Sequence, residues 1–151
     1  MITIKDFKIK HSNKVRFIGL DLGSKRIGIS ICDERQSIAT PFKTINKTNT
    51  NELIDQLNVI IKENNISGII IGNPVNMDGS LGRSAQSVND VASNISKSID
   101  LPVILWDERL STVGAFNLSS LLDVNVSKRV KTIDQNAAAF ILQGAIDFLN
   151  N

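Results

Sequence analysis

Apolar residues alternate with small or polar residues in two runs near the start of the chain, at residues 17–22 and 27–32. This period of two, with Gly23 and Ser24 between the runs, predicts a β-hairpin. One predicted face is aliphatic (Ile18, Leu20, Leu22, Ile27, Ile29, Ile31), and the other carries mostly small residues (Phe17, Gly19, Asp21, Gly28, Ser30, Cys32). A carboxylate buried there, Asp21, costs several kcal/mol unless a partner compensates its charge.

The pattern along the rest of the chain predicts three more strands and four helices. Residues 38–45 predict a strand that Pro41 restricts to the sheet edge, and two short apolar runs, 68–72 and 102–106, predict strands buried on both faces. Helical spacing of apolar residues predicts helices over 51–65, 81–99 and 111–122 and a last helix from Thr132. We expect residues 123–131 to form a basic connection and Thr132-x-x-Gln135 to form a capping box. The predicted apolar stripe of the last helix is Ile133, Ala137, Phe140, Ile141, Gly144 and Phe148.

This order of elements predicts an α/β fold. A leading hairpin followed by strand–helix–strand crossovers gives a mixed sheet, antiparallel on one side and parallel on the other, with helices covering its faces. At 151 residues the chain has room for one domain. We assign residues 16–151 to that domain and residues 1–15 to an N-terminal leader.

Composition narrows the possible classes of site. One cysteine, Cys32, excludes an internal disulfide and a thiolate zinc cluster, and the only histidine, His11, lies in a polar lead-in segment. No apolar run reaches the roughly 20 residues that span a bilayer, and no signal peptide is evident, so we expect a cytoplasmic protein without a membrane partner. The net charge is only +2. Affinity for nucleic acid would therefore depend on local clusters of Lys and Arg.

Three carboxylates are expected at one edge of the sheet. In open α/β sheets ligands bind beyond the carboxyl ends of the strands; Asp21 ends the first strand, and Glu108 follows the strand 102–106. Asp134 would lie in the first turn of the last helix, where the helix dipole favours a carboxylate. Any one of these acids alone would more often have a local structural role. Three together repel one another unless a cation binds, and all-oxygen ligation favours two Mg²⁺ or Mn²⁺ ions.

Four segments together resemble the signature blocks of a known family. They are residues 17–28 (FIGLDLGSKRIG), 72–80 (GNPVNMDGS), 107–112 (DERLST) and 133–139 (IDQNAAA). They are similar, in the same order, to blocks of the YqgF family, which are ribonuclease H-like proteins related to the RuvC Holliday-junction resolvases and described as nucleases of pre-16S rRNA. Gly114 departs from the family pattern, which often has Glu there.

The resemblance implies a ribonuclease H-like fold with a five-stranded mixed sheet and a metal-dependent nuclease that processes the 5′ end of pre-16S rRNA. It implies catalytic and metal-binding roles for Asp21, Glu108 and Asp134. Arg109, Ser111 and Thr112 match the third block and would orient Glu108 or contact phosphate. We also expect Gly19, Gly28 and Ser30 to leave space beside Asp21 for metal ions and a phosphate backbone.

Basic residues near the predicted carboxylate patch are the candidates for substrate binding. They are Lys25 and Arg26 in the hairpin turn, Arg83 at a loop-to-helix junction, and Lys128, Arg129 and Lys131 in the basic connection. Each alone is more often a solvated surface charge, but the cluster at 128–131 runs directly into Asp134. The chain has no tyrosine, so we expect phosphate contacts rather than base recognition.

Alternative functions remain open from the sequence. Asp-Leu-Gly-Ser before a glycine hairpin also resembles the first phosphate motif of actin-like ATP-binding proteins, although those pair two such halves. A non-catalytic module that binds RNA or the ribosome would keep the fold without chemistry. A nuclease of this kind could instead act on structured DNA as a Holliday-junction resolvase, which requires a dimer, and the sequence does not distinguish a monomer from a homodimer.

Overall fold

The computed structural model describes residue 4 and residues 15–23, 25–73, 83–107 and 126–150. The side chains of residues 83–85 and 126–135 lie outside that description, although their backbone is helical. The described strands and helices are β1 (Arg16–Leu22), β2 (Arg26–Cys32), β3 (Ala39–Asn46), α1 (Thr50–Asn64), β4 (Ile66–Asn73), α2 (Arg83–Ser98), β5 (Val103–Asp107) and α3 (Val126–Asn150).

The strands form one mixed sheet in the order β3-β2-β1-β4-β5. The pairs β1–β2 and β2–β3 are antiparallel, and β1–β4 and β4–β5 are parallel. Pro41 lies in the edge strand β3 as predicted. Ile29 pairs with Lys43 and Ser30 with Pro41, so Phe42 is an extra residue that forms a bulge in this edge strand. The predicted five-stranded mixed sheet is confirmed.

Helix α1 ends where its sequence predicts and begins at Thr50, one residue before the predicted start. The Asn49 side chain accepts a hydrogen bond from the Glu52 N–H at 2.9 Å, which caps the first turn. Asn65 adopts a left-handed conformation with φ 54°, and its N–H donates to the carbonyl of Ile61. Asparagine tolerates this conformation better than most residues, so the helix stops there.

Two apolar cores lie on opposite faces of the sheet. On one face, α1 and α2 pack on large aliphatic side chains that include Ile18, Leu20 and Ile29. On the other face, α3 packs on a core that includes Phe17 and Trp106. In β4, Ile69 and Ile71 belong to the first core and Ile70 to the second. The prediction of a strand buried on both faces is therefore correct for β4.

The last helix differs from its prediction in where it begins. Helix α3 begins at Val126, so residues 126–131 are helical and do not form the predicted basic connection. Thr132 and Gln135 lie inside the helix, and the predicted capping box is wrong. Asp134 comes eight residues after Val126, and the first turn of α3 contains no acidic residue. The argument that the helix dipole favours Asp134 therefore does not hold, because that effect is confined to the first turn.

The buried stripe of α3 is also shifted by about one position from the prediction. Within residues 136–150, the buried side chains are Ala138, Ala139, Ile141, Leu142, Ala145, Ile146 and Leu149. Of the predicted stripe, Ile141 is buried, whereas Ala137, Phe140, Gly144 and Phe148 are only half-buried. The spacing of three and four residues persists, but the face toward the sheet combines three alanines with large aliphatic side chains and leaves the two phenylalanines at its margins.

Some predictions concern residues that the structure does not describe. The predicted helix over 111–122 lies outside the described residues, as does most of the leader, residues 1–15. Ile4 and Val15 both pack against the second core, and the division at residue 16 stays a prediction. Of the described helices, none combines the length and apolarity that crossing a membrane requires.

Candidate active site

Asp21 is the next-to-last residue of β1, at the carboxyl end of a central strand. It pairs with Gly28 of β2 and is half-buried. The strand then turns tightly, since the Gly23 N–H donates to the Asp21 carbonyl at 3.1 Å. Strand alternation assigns Asp21 to the face that carries Phe17 and Gly19. Asp21 therefore lies on the predicted small face of the hairpin, and α3 covers this face.

The small residues on this face make room for helix α3. The Ser30 hydroxyl donates to the carbonyl of Ala138 at 2.8 Å. A Cβ on Gly19 would lie 2.5 Å from Ser30 Oγ and 2.7 Å from the Cβ of Leu142. The expectation that Gly19 and Ser30 leave space for ions and phosphate is therefore wrong, because the helix occupies that space. At these positions small side chains permit close helix–strand packing.

Hydrogen bonds at the other end of α3 fix the direction in which the helix crosses β1. Asn150 donates to the carbonyl of Gln36 at 2.7 Å, and Gln36 donates to the carbonyl of Val15 at 2.8 Å. The carboxyl end of α3 thus lies at the start of β1. Ala138 lies beside Ser30 of β2, which pairs with Gly19 in the middle of β1. Helix α3 consequently runs antiparallel to β1, and its earlier turns extend toward Asp21.

This direction brings the backbone of residue 134 level with Asp21. Residue 134 precedes Ala138 by one turn, about 6 Å along the helix axis. Asp21 follows Gly19 by two residues, about 6.6 Å along the strand. Both steps lead from the Ser30–Ala138 contact toward the same edge of the sheet. The side chain of Asp134 lies outside the described residues.

Strand β5 brings a further carboxylate to the edge that Asp21 occupies. Because β1, β4 and β5 are parallel neighbours in that order, their carboxyl ends meet there, and β5 is about 10 Å from β1. Asp107, the last residue of β5, is half-buried and pairs with Asn73 of β4. Alternation assigns Asp107 to the face of Val103 and Leu105, which is opposite to that of Asp21. Glu108, the predicted ligand, lies outside the described residues.

The donor chemistry at this edge is compatible with a hard cation. Within the described residues, no group of three His, Cys, Asp or Glu side chains converges on one point; the side chains of Glu108 and Asp134 are not among them. Asn73, at the carboxyl end of β4, has a buried Oδ1 without a hydrogen-bond partner. Strand alternation assigns Asn73 to the face of Ile69 and Ile71, which is the face of Asp107 and is opposite to that of Asp21. An oxygen acceptor that lacks a donor suits a cation or a water molecule. Sequence reasoning missed Asn73, although its place between Gly72 and Pro74 at a strand end was a signal.

The structure describes some of the predicted substrate-binding residues with their side chains, some only by their backbone and some not at all. Lys25 is exposed in the turn after Asp21, and Arg26 begins β2 and is half-buried. The backbone of Arg83 begins α2, and Lys128, Arg129 and Lys131 belong to the first two turns of α3. These turns lie beyond residue 134, farther along the same direction. Arg109, Ser111 and Thr112 lie outside the described residues.

The pKa shifts of Cys32 and Asp33 occur at the opposite end of the hairpin. Burial raises the pKa of the Cys32 thiol, which makes this thiol a poor nucleophile. Hydrogen bonds from the backbone N–H groups of Ile38 and Ser37 lower the pKa of Asp33. Cys32 is the last residue of β2 and Asp33 follows it. Because β2 is antiparallel to β1, this end of β2 lies far from Asp21. Neither titration belongs to the candidate site.

Comparison with protein families identifies the group to which this sequence belongs. A family model described as "RuvX: Holliday junction resolvase" matches residues 15–148. The chain belongs to the RuvX family. This match confirms the predicted YqgF resemblance, and it covers the whole sheet and nearly all of α3.

Relatives in the RuvX family match this chain over its full length. A protein of Pelagibacter ubique named "Putative pre-16S rRNA nuclease" is 94% identical over 151 residues, which is 100% of both chains. A protein of Cereibacter sphaeroides with the same name is 42% identical over 148 residues, 98% of this chain and 92% of its own length.

Solved structures of two resolvases have the same fold as this RuvX-family chain. Thermus thermophilus RuvC in complex with a Holliday junction substrate aligns with a TM-score of 0.53 and 10% identity, covering 84% of this chain and 91% of RuvC. The yeast mitochondrial Holliday junction resolvase Ydc2 aligns with a TM-score of 0.53 and 11% identity, covering 97% of this chain and 84% of Ydc2. The ribonuclease H-like fold expected from the sequence is confirmed.

Proposed function

We propose that this protein is a metal-dependent nuclease that hydrolyses phosphodiester bonds and processes the 5′ end of pre-16S rRNA in the cytoplasm. The observation that carries the proposal is the direction of α3, which brings residue 134 level with Asp21 at the carboxyl edge of the sheet. Full-length relatives at 94% and 42% identity that are named as pre-16S rRNA nucleases support the choice of substrate.

Three carboxylates would form the catalytic centre. Asp21, Glu108 and Asp134 would hold two Mg²⁺ or Mn²⁺ ions. Ile104 and Trp106 face the α3 core. Residue 108 comes two positions after Trp106, so continued alternation would direct it to the same face. This favours Glu108 over Asp107 as a partner of Asp21. Bound divalent ions stabilise the negative charge that develops on the attacking and leaving oxygens of phosphoryl transfer. Water would attack the scissile phosphate and leave a 5′-phosphate and a 3′-hydroxyl.

Basic residues around this edge would hold the RNA backbone. Lys25 and Arg26 flank the turn after Asp21, and the first turns of α3 contribute Lys128, Arg129 and Lys131. Arg83, Arg109, Ser111 and Thr112 would add phosphate contacts from α2 and from the segment after β5. Such contacts position a strand without reading its sequence.

A second candidate function is the resolution of four-way DNA junctions. The description of the family model and the fold shared with RuvC favour it. It needs two active sites in a homodimer, whereas cleavage of single-stranded RNA needs only a monomer. A non-catalytic RNA-binding or ribosome-binding module is a third possibility, and an actin-like ATP-binding protein has less support because the family match covers residues 15–148.

Cleavage assays with Asp21→Asn test the nuclease proposal. Wild type and Asp21→Asn are compared on a pre-16S rRNA leader, unstructured RNA and a four-way DNA junction, each with Mg²⁺, Mn²⁺ or a chelator. Mutating a residue that only supports a metal ligand costs about 10–100-fold in metal affinity or activity. We therefore expect Asp21→Asn, which changes a proposed ligand, to lower the rate of leader cleavage by at least about 100-fold. The matched control Asp55→Asn changes an exposed acid on α1 and should cleave like wild type.

The same assays include the results that would contradict the proposal. Equal cleavage by Asp21→Asn, or cleavage that survives chelation, would exclude this mechanism. Preferred cutting of the DNA junction by a dimer would favour the resolvase function. Thermal unfolding provides the structural control: Asp21→Asn should keep or raise the Tm in the absence of metal because it relieves carboxylate repulsion, and a large fall would mark Asp21 as structural.

A further inference from the structure

A cavity of about 370 Å³ lies on the α1/α2 face of the sheet, at the same edge as Asp21. Its floor is aliphatic and includes the buried side chains of Ile27, Leu53 and Val88. Its rim is polar and includes Lys47, Gln56 and Ser87. A cavity of this size, apolar inside with a few polar groups at its mouth, has the properties of a small-molecule site.

The cavity adjoins the proposed catalytic centre through the backbone of β1. Leu22 lines the cavity and directly follows Asp21, so their Cα atoms are about 3.8 Å apart. Strand alternation directs the two side chains to opposite faces of the sheet. Gly23, which also lines the cavity, donates to the Asp21 carbonyl at 3.1 Å. A strand bound at Asp21 would thus pass the mouth of the cavity.

The charge at the mouth suits a phosphate backbone. Lys47 is the charged group among the described lining residues, and it is exposed. Its N–H donates to the carbonyl of Lys25 at 2.9 Å, which joins the β3–α1 connection to the hairpin turn that follows Asp21. Two exposed lysines therefore lie on adjoining backbone segments between the cavity and the carboxylate.

We propose that this cavity accepts one unpaired nucleobase of the RNA strand, within one or two nucleotides of the scissile phosphate. The inference rests on the proposed nuclease function and adds a base pocket to it. A base has flat apolar faces that would pack on the aliphatic floor, and a hydrogen-bonding edge that would meet Gln56 and Ser87 at the rim. Recognition of RNA sequence commonly uses unpaired bases held in this way.

Binding of RNA that contains 2-aminopurine tests the pocket without cleavage. The fluorescent base is placed at successive positions around the cut site, in the Asp21→Asn background. Ser87 is exposed at the rim, and Ser87→Trp would narrow the cavity mouth. The control is Gln86→Trp, because Gln86 is the adjacent exposed residue and does not line the cavity. We expect Ser87→Trp to weaken binding about tenfold, within the range that one stacked base contributes, and to abolish the fluorescence change at one position, whereas Gln86→Trp retains both.

Abasic RNA provides a test that needs no variant in the pocket. Removing one base at a time should raise the KM of the wild-type protein about tenfold at a single position beside the cut and change kcat less. The proposal is overturned if no position is sensitive to base removal, or if the two Trp variants bind alike. Failure of the nuclease function can be distinguished from failure of the pocket. If the nuclease function is wrong, wild type does not cleave RNA, but a position-specific fluorescence change that depends on Ser87 would still establish the pocket.

Discussion

The two faces of the sheet pack by different means. The α1/α2 face is filled by large aliphatic side chains, among them Leu20, Leu57 and Ile71, and it leaves a cavity at the carboxyl edge. The α3 face places Gly19 and Ser30 beneath the helix, and the Ser30 side chain bonds to the helix backbone. Aliphatic side chains can readjust around a change, whereas a helix backbone in direct contact with a strand has little freedom.

The α3 face therefore sets the geometry of the proposed site more tightly than the α1/α2 face does. The chemistry proposed above requires carboxylates from a strand and a helix to converge, and Gly19 and Ser30 fix the height and direction of α3 relative to β1. The α1/α2 face contributes mainly stability and, through its cavity, room for a ligand. A change on the α3 face should therefore alter activity and stability together. A change in the aliphatic core of the α1/α2 face, away from its cavity, should alter stability alone.

The largest expected effect on stability is from Leu57→Ala on the α1/α2 face. Leu57 is fully buried on α1, and Leu→Ala in a core costs about 2–5 kcal/mol. Urea unfolding should show this loss, while kcat on RNA, measured where the variant remains folded, should stay within about twofold of wild type. A loss of kcat larger than the unfolded fraction explains would contradict the proposed division between the faces.

Gly19→Ala should have a smaller effect on stability and a larger one on cleavage. The new Cβ would overlap Ser30 Oγ and Leu142, and such overpacking costs about 1–3 kcal/mol. Because α3 must move, we expect kcat to fall on the order of 10–100-fold, as a shift of about 1 Å in an active site can produce.

Ser30→Ala is the matched control for Gly19→Ala. It removes the bond to Ala138 without adding volume and should cost about 0.5–1.5 kcal/mol, with a smaller loss of kcat. Cleavage by Gly19→Ala at the wild-type rate would show that the position of α3 does not govern activity.

Asp33→Asn should have the smallest effect, confined to stability and dependent on pH. The pKa of Asp33 lies below its usual 3.8 because backbone N–H groups donate to its carboxylate. A lowered pKa in the folded state stabilises the protein above the unfolded-state pKa, and this contribution disappears as the pH falls through the folded-state value. Urea unfolding should therefore give wild type an advantage over Asp33→Asn at about pH 5 that shrinks as the pH falls and vanishes below the folded-state pKa of Asp33. An advantage that persists there would have another cause.

The sheet was predictable because its signals are local. The signals are the alternation of apolar residues in β1 and β2, the run Ile69–Ile71 and the asparagine at the carboxyl end of α1. Each corresponds to one physical requirement of a strand or a helix. Asp21 was predictable for the same reason, as a carboxylate at the end of a strand that otherwise looks buried.

Helix α3 was less predictable because its buried face is decided by its partner. The predicted buried stripe included Phe140 and Phe148 because they are large and apolar. Gly19 and Ser30, however, admit only small or closely fitting neighbours such as Ala138. Phe148 instead packs edge to face on Trp106 at 5.9 Å. Thr132 and Gln135 have the spacing of a capping box, yet helical backbone already precedes them from Val126.

Gln36 joins the two ends of the described domain. It is buried, has a φ of 56°, donates to Val15 just before β1 and accepts a hydrogen bond from Asn150 at the end of α3. Val15 contacts the side chain of Gln36 and Asn150 contacts its backbone carbonyl. A short glycine-rich peptide can span the distance between residues 15 and 150. The fold is accordingly suited to circular permutation, with new termini opened in an exposed segment and the order of packing left unchanged.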